Sequence, residues 1–173
     1  GAILLEYGQE PERVQFIRTM QYAAWSLVHY IQANGWKILG SEEVLAGELE
    51  RMGGQPVKGR ADLVLKRNRN GAGEVVVVDL KWRGKTVFKN LLRNAKDLQL
   101  CLYAEFIHQH MEMDREGKLS RKAGKPPQTV HTAYYVLRDA LMVARNELAF
   151  ANIETVAGGE EAGVVQVETL KKI

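Results

Sequence analysis

Two aspartates and one lysine are the residues in this sequence whose types and spacing suit chemistry on an anionic substrate. Asp62 lies within GRADLVLKR, and Asp79 and Lys81 lie within EVVVVDLKW. Both runs read as strands, and the intervening NRNGAG reads as their turn. Side chains alternate across a strand, which puts Asp79 and Lys81 on one face. Antiparallel pairing across the turn could set Asp62 beside them. Two carboxylates at one point offer hard oxygen ligands to a divalent cation, and an ammonium between them lets like charges coexist. The second of these strands is apolar on both faces up to Asp79, as a central strand is. A carboxylate and an ammonium at its end are costly unless they pair or act.

The neighbouring elements must hold this cluster. Pro11 with Glu10 and Glu12 suits a helix start, and Asn34-Gly35 suits its end. Between them Val14, Ile17, Gln21, Ala24, Val28 and Ile31 recur at helical spacing and predict the buried stripe. His29 lies beside that stripe, four residues after Trp25, and taken alone reads as a half-buried helix histidine. Strands over 42–52, 57–67 and 74–82 form a meander, with Glu48 on the first. A basic linker with Arg83, Lys85 and Lys89 leads into one long helix over 89–113, its core stripe Leu91, Ala95, Leu98, Leu102 and Phe106. Gln99 and Tyr103, four apart, share a face of it. They are either a polar flank or a pair aimed at a ligand over the sheet. Residues 114–128 carry Arg115, Lys118, Arg121, Lys122 and Lys125 without apolar periodicity and predict a mobile loop. Residues 129–138 predict a fourth strand, followed by a hairpin partner or a short helix. The first nine residues read as an arm, and the end of the chain as loop plus a weak strand, VVQVETL.

Composition bounds what such a protein can be. With 173 residues, 46% hydrophobic and 26% charged, one domain spanning 1–173 with a proper core is expected. The net charge of +3 is compatible with a nucleic-acid partner without demanding one. The single cysteine, Cys101, excludes an internal disulfide framework and any multi-cysteine zinc or iron–sulfur site. No apolar run reaches the length of a membrane span and no signal peptide opens the chain, so a cytoplasmic protein without a membrane partner is the expectation. The start at Gly-Ala, without methionine, suits a domain cut from a longer protein.

With Gly59-x-x-Asp62, then Asp79-x-Lys81, then Gln99-x-x-x-Tyr103, on helix, three-strand meander, helix and strand in that order, the chain resembles the PD-(D/E)XK nuclease superfamily over about residues 10–137. The Gln-x-x-x-Tyr element makes it similar to the RecB/AddB-like branch, which includes helicase–nuclease domains and CRISPR-associated exonucleases. The proline of the superfamily's name is absent, since Ala61 precedes Asp62; the RecB-like branch commonly has Gly-x-x-Asp there, as here. The resemblance implies an α/β (α+β) domain with a restriction-endonuclease-like core, a mixed central sheet flanked by helices. It implies a Mg²⁺- or Mn²⁺-dependent deoxyribonuclease, exonuclease-type, acting in DNA repair or recombination. The implied metal ligands are His29, Asp62, Asp79 and the backbone carbonyl of Leu80, with Glu48 as a lesser acidic candidate. Asp62, Asp79, Lys81, Gln99 and Tyr103 are the implied catalytic set, and Gln99, Tyr103, Arg83 and Lys85 the implied nucleic-acid contacts. DNA, held by its backbone with little base specificity, is the implied substrate, and helicase or other domains of a parent protein are implied partners. Some relatives carry an iron–sulfur cluster, and one cysteine cannot hold one, so none is expected. A domain of this fold that has lost cleavage and only binds DNA or serves as a scaffold is the competing reading. Retention of Asp79 and Lys81 weighs against it.

Overall fold

The computed structural model describes residues 10–49 and 53–156. The elements are α1 (Glu10–Ala33), β1 (Lys37–Glu48), β2 (Pro56–Arg69), β3 (Ala72–Lys81), α2 (Lys85–Arg93), α3 (Leu98–Gln109), β4 (Met111–Met113), β5 (Leu119–Arg121), β6 (Thr129–Val136), β7 (Leu141–Ala144) and β8 (Glu154–Thr155). Six strands form one mixed sheet in the order β1-β2-β3-β6-β7-β8, and β4 with β5 makes a separate two-stranded ribbon. The β1–β2–β3 meander is antiparallel, β6 joins β3 in parallel, and β7 returns antiparallel to β6. The parallel β3–β6 pair requires a crossover, and α2 and α3 supply it.

Strand β3 is central, and every residue from Val75 to Asp79 is buried. Its even-numbered valines, Val76 and Val78, join Leu63, Leu65, Ala133 and Tyr135 under α1. Its odd-numbered ones, Val75 and Val77, join Val64 and Ala61 under Tyr103 and Phe106 of α3. A third cluster seats α2 and the start of α3 on β6 and β7 through Phe88, Leu92, Leu100, Tyr134, Val136 and Val143. The packed core runs past residue 137: Met142, Ala144, Ala149 and Phe150 belong to the α1-side cluster.

Several expected boundaries shift, each for a physical reason. The meander's first strand occupies Lys37–Glu48 rather than 42–52. The long helix expected over 89–113 is two helices and a strand. Ala95 turns left-handed (φ 50°) and is itself buried, and Asp97 restarts the helix while its carboxylate is drawn to Arg145. Rephased in this way, α3 leaves Leu98 exposed and buries Leu100, Cys101, Tyr103, Ala104 and Phe106. Left-handed His110 ends α3 and sends the chain into β4, so the basic segment 114–128 carries the ribbon strand β5. The segment after 139 resolves as a hairpin partner, β7. In α1 the expected stripe is rotated: Val14, Ile17 and Val28 are exposed, and Ala23, Leu27, Tyr30 and Ile31 face the core. Ser26 Oγ donates to the Ala140 carbonyl, and the Tyr135 hydroxyl donates to the Ala23 carbonyl, which fixes this rotation. The expected arm over residues 1–9 and the VVQVETL strand lie outside the described residues.

Arg67 staples the far end of β2 to two loops. Its Nε meets Glu74 Oε2 at 2.6 Å, its remaining nitrogens donate to the carbonyls of Asn34, Leu148 and Ala149, and the guanidinium lies 4.1 Å over the Trp36 ring. Removing it takes the nearest cation from the half-buried Glu74 carboxylate and a donor from the Asn34 and Leu148 carbonyls, while the Ala149 carbonyl keeps Trp36 Nε1. Arg67→Ala is expected to lower unfolding free energy by about 3 kcal/mol, read from the urea midpoint, with the slope of the transition unchanged.

Candidate active site at the split between β2 and β3

The β2–β3 ladder runs from Arg69↔Ala72 to Leu63↔Val78 and stops there. One step further the register would pair Asp62 with Asp79. Instead β2 parts from β3, and the Asp62 carboxylate fills the gap: Oδ2 accepts a hydrogen bond from the Leu80 N–H at 2.7 Å. The same split breaks the alternation of β2. Ala61 packs under Tyr103 with Val64, three residues on, whereas Leu63 faces α1. A side chain thus replaces a main-chain ladder bond, and two carboxylates are left at the mouth of the opening.

Asp79 is 1% exposed. Lys81 Nζ lies 2.6 Å from Asp79 Oδ2, an ion pair at an angle poor for a hydrogen bond. Oδ1 is buried and has no hydrogen-bond partner among the described residues. Burial is the main cause that raises the Asp79 pKa above the ordinary aspartate range. Lys81 opposes the shift, and the adjoining Asp62 carboxylate adds to it. Tyr134, opposite Asp79 in the parallel ladder, is also buried, and its hydroxyl is pushed up by burial and then by Asp97 and Asp79.

Helix α3 holds the split open. Gln99 Oε1 lies 3.5 Å from Lys81 Nζ, Gln99 Nε2 donates to the Tyr103 hydroxyl at 2.9 Å, and that hydroxyl donates to the Arg60 carbonyl at 2.7 Å. A continuous chain therefore runs from the Lys81 ammonium to the backbone two residues before Asp62. Gly59 is required by the same contact, because a Cβ there would sit 2.5 Å from Tyr103 Cε1. The start of α3 is anchored in turn by the buried Asp97–Arg145 ion pair, which sequence reasoning did not single out. Its visible signals were an aspartate in N-cap position before LQLC and an arginine ending the apolar run LMVA.

The expected site residues divide accordingly. Asp62, Asp79, Lys81, Gln99 and Tyr103 come together. His29 does not join them: it is exposed, its ring stacks on Trp25 at 5.8 Å, and no three His, Cys, Asp or Glu side chains gather as a metal site among the described residues. Glu48 is also elsewhere. It pairs with Pro56, six positions along β2 from Asp62 and so roughly 20 Å away at about 3.3 Å per residue. Its backbone N–H and carbonyl are both taken by Gln109. The β1 residue level with Asp62 is Glu42, whose carboxylate turns to Arg60. Lys85 is engaged as well, with Nζ 2.7 Å from Glu154, which also holds Lys89 and is itself lowered to about 2 by those two ammoniums. Arg83 is exposed and has no ion pair among the described residues.

The donor set suits a hard divalent cation. The unpartnered Asp79 Oδ1 and the nearby Asp62 supply two carboxylates, which is what Mg²⁺ takes from a protein when waters and substrate phosphate fill its remaining positions. The charge on Asp79 is therefore a cost to the metal-free fold. Its raised pKa means folding favours the protonated acid, so above that pKa the ionised form works against stability. Asp79→Asn should raise the melting temperature of the metal-free protein at neutral pH and abolish cleavage. On acidification the wild type should lose less stability than the variant, because protonating Asp79 removes the penalty. Equal melting temperatures across pH would contradict this.

Comparison with known proteins is consistent with the geometry. A search of curated proteins finds none that matches the chain. The family model described as the PD-(D/E)XK nuclease superfamily matches residues 7–170, which includes the whole sheet and the split. Nucleases of this superfamily generally use divalent metals such as Mg²⁺ or Mn²⁺ and act on DNA. No helix among the described residues is long and apolar enough to cross a membrane. The mixed sheet flanked by helices is the restriction-endonuclease-like architecture that the resemblance implied. This chain belongs to the PD-(D/E)XK nuclease superfamily.

Proposed function

We propose that the chain is an active, metal-dependent deoxyribonuclease of the RecB-like type, an exonuclease domain serving DNA repair or recombination. The observation that carries this is Asp79, a buried carboxylate with one oxygen against Lys81 and the other without a hydrogen-bond partner among the described residues, beside Asp62 at a parted strand. A protein that only bound DNA would gain nothing from that expense. The Gln99–Tyr103 chain supports placement in the branch with the Gln-x-x-x-Tyr element, since both residues act on the cluster rather than lying as a polar flank.

Asp62, Asp79 and the Leu80 carbonyl are the proposed metal ligands. Bound there, the cation supplies charge to the scissile phosphate and acidifies a water. The chain's own residues do the rest. Lys81, about one-third exposed, presents its ammonium at the opening, where it orients the attacking water and meets the charge that builds on the phosphate. Gln99 gives that ammonium a second, longer contact at 3.5 Å beside its 2.6 Å contact with Asp79. Tyr103 holds β2 at the Arg60 carbonyl and so sets where Asp62 stands. Arg83 offers a phosphate contact, and backbone contacts carry no base preference.

Cleavage of end-labelled linear DNA and of closed circular DNA, each with Mg²⁺ or Mn²⁺, tests the reading. Linear DNA should be degraded and circles spared. Lys81→Ala should cut about 10²–10³-fold more slowly while binding DNA nearly as well, since one cation among several contributes little of the phosphate attraction. Tyr103→Phe should cost about tenfold in rate through misplacement of Asp62, and metal affinity should weaken with it because Asp62 is a proposed ligand. Wild-type rates in Lys81→Ala, or DNA binding without cleavage under either metal, would contradict the proposal.

A further inference from the structure

A second feature lies on the α3 side of the sheet, at the end of β3 away from Asp79. There the sheet, the C-terminal end of α3 and segment 122–128 enclose a cleft of about 980 Å³. Leu39, Ile107 and Met111 offer its accessible apolar surface, over a floor of the buried Leu45, Val64, Val75 and Phe106. The overhanging segment is tied at both ends, by the Lys122 N–H to the His110 carbonyl and by the Gln128 N–H to the Gly73 carbonyl, each at 2.9 Å.

Four lysines from three parts of the chain line this cleft: Lys37 on β1, Lys66 on β2, and Lys122 and Lys125 on the overhang. None of the four has an ion pair among the described residues. Lys37 and Lys66 are direct cross-strand partners, so they share a face and repel. The cleft's two carboxylates do not relieve them: Glu74 is held by Arg67 at 2.6 Å, and Glu43 folds back over Gly40. His110 Nε2 is buried at the cleft without a hydrogen-bond partner among the described residues. Opposed lysines, an imidazole nitrogen without a partner among the described residues and apolar surface thus meet in one cleft of small-ligand size.

We propose that this cleft binds a phosphorylated nucleotide, its phosphate held by Lys37, Lys66, Lys122 and Lys125 and its base laid on the apolar surface. The nucleotide is either free or a unit of a DNA strand, and the binding chemistry is the same for both. The site is independent of the metal chemistry at Asp79 and of whether the chain cuts DNA.

Calorimetric titration of the full chain in EDTA, with ADP and separately with a 5′-phosphorylated oligothymidylate, tests it. One ADP should bind per chain, more weakly as salt rises, and Lys122→Ala/Lys125→Ala on the exposed overhang should weaken it at least tenfold. Lys81→Ala should leave ADP affinity unchanged. Lys66→Gln should raise the melting temperature of the free protein and abolish the upward shift produced by ADP, which a purely structural lysine would not do. Binding of the oligonucleotide but not ADP, lost with the overhang lysines, would also support the site and assign a strand as its occupant. No saturable binding of either probe, or equal weakening by Lys81→Ala and by the overhang variant, would overturn the proposal. If ADP binds this way and no metal supports cleavage, the nuclease reading fails and the cleft stands.

Discussion

Asp79 has one oxygen against an ammonium and the other without a hydrogen-bond partner among the described residues, at the end of a strand whose preceding residues are valines packed on both faces. Desolvating a carboxylate costs several kcal/mol even after relaxation, and a single partly exposed lysine returns only part of it. The rest of the domain can be understood as what holds this arrangement in place. Strand β3 cannot slide to expose Asp79 without moving Val76 and Val78 out of the α1-side core and Val75 and Val77 out of the α3-side core. The split from β2 then gives the buried carboxylate an opening through which a cation and a phosphate could reach it.

The split is itself built from long-range contacts. Asp62 replaces the missing ladder bond at Leu80, and Tyr103 takes the Arg60 carbonyl that the parted strand leaves. Tyr103 fits only because residue 59 has no side chain. Its helix is positioned by the Asp97–Arg145 pair behind it, and Arg145 follows directly on β7, which lies two strands from β3. A glycine, an aspartate, a glutamine and a tyrosine that look like separate motifs in the chain are thus one mechanical unit.

Much of this unit was legible in the sequence, because strand parity needs only neighbours. Asp79 and Lys81 share a face as alternation requires, and they pair. Asp62 reaches the site by a different route, since its carboxylate lies in the gap between strands, where parity has nothing to say. The helix break at 94–97 had no glycine or proline to announce it; it depends on Arg145, about fifty residues away in the chain. In α1 the periodicity could not select a face, because Val14, Ile17, Trp25 and Val28 on the exposed side are as apolar as Ala23, Leu27 and Ile31 on the buried one. Lys85, which the resemblance implies as a nucleic-acid contact, pairs with Glu154 near the far end of the described chain, a contact too distant in sequence to be read from spacing. His29 sits at the sequence position the resemblance implies, yet its ring goes to Trp25, a contact four residues back.

The central claim is that Asp62 and Asp79 together make one cation site at the parted strand. A crystal of the protein soaked in Mn²⁺ and measured at the manganese absorption edge tests this most directly. The account predicts one strong anomalous peak within bonding distance of both carboxylates, absent from crystals of Asp79→Asn. A peak coordinated elsewhere on the chain, or no peak at millimolar Mn²⁺ with both aspartates ordered, would contradict it.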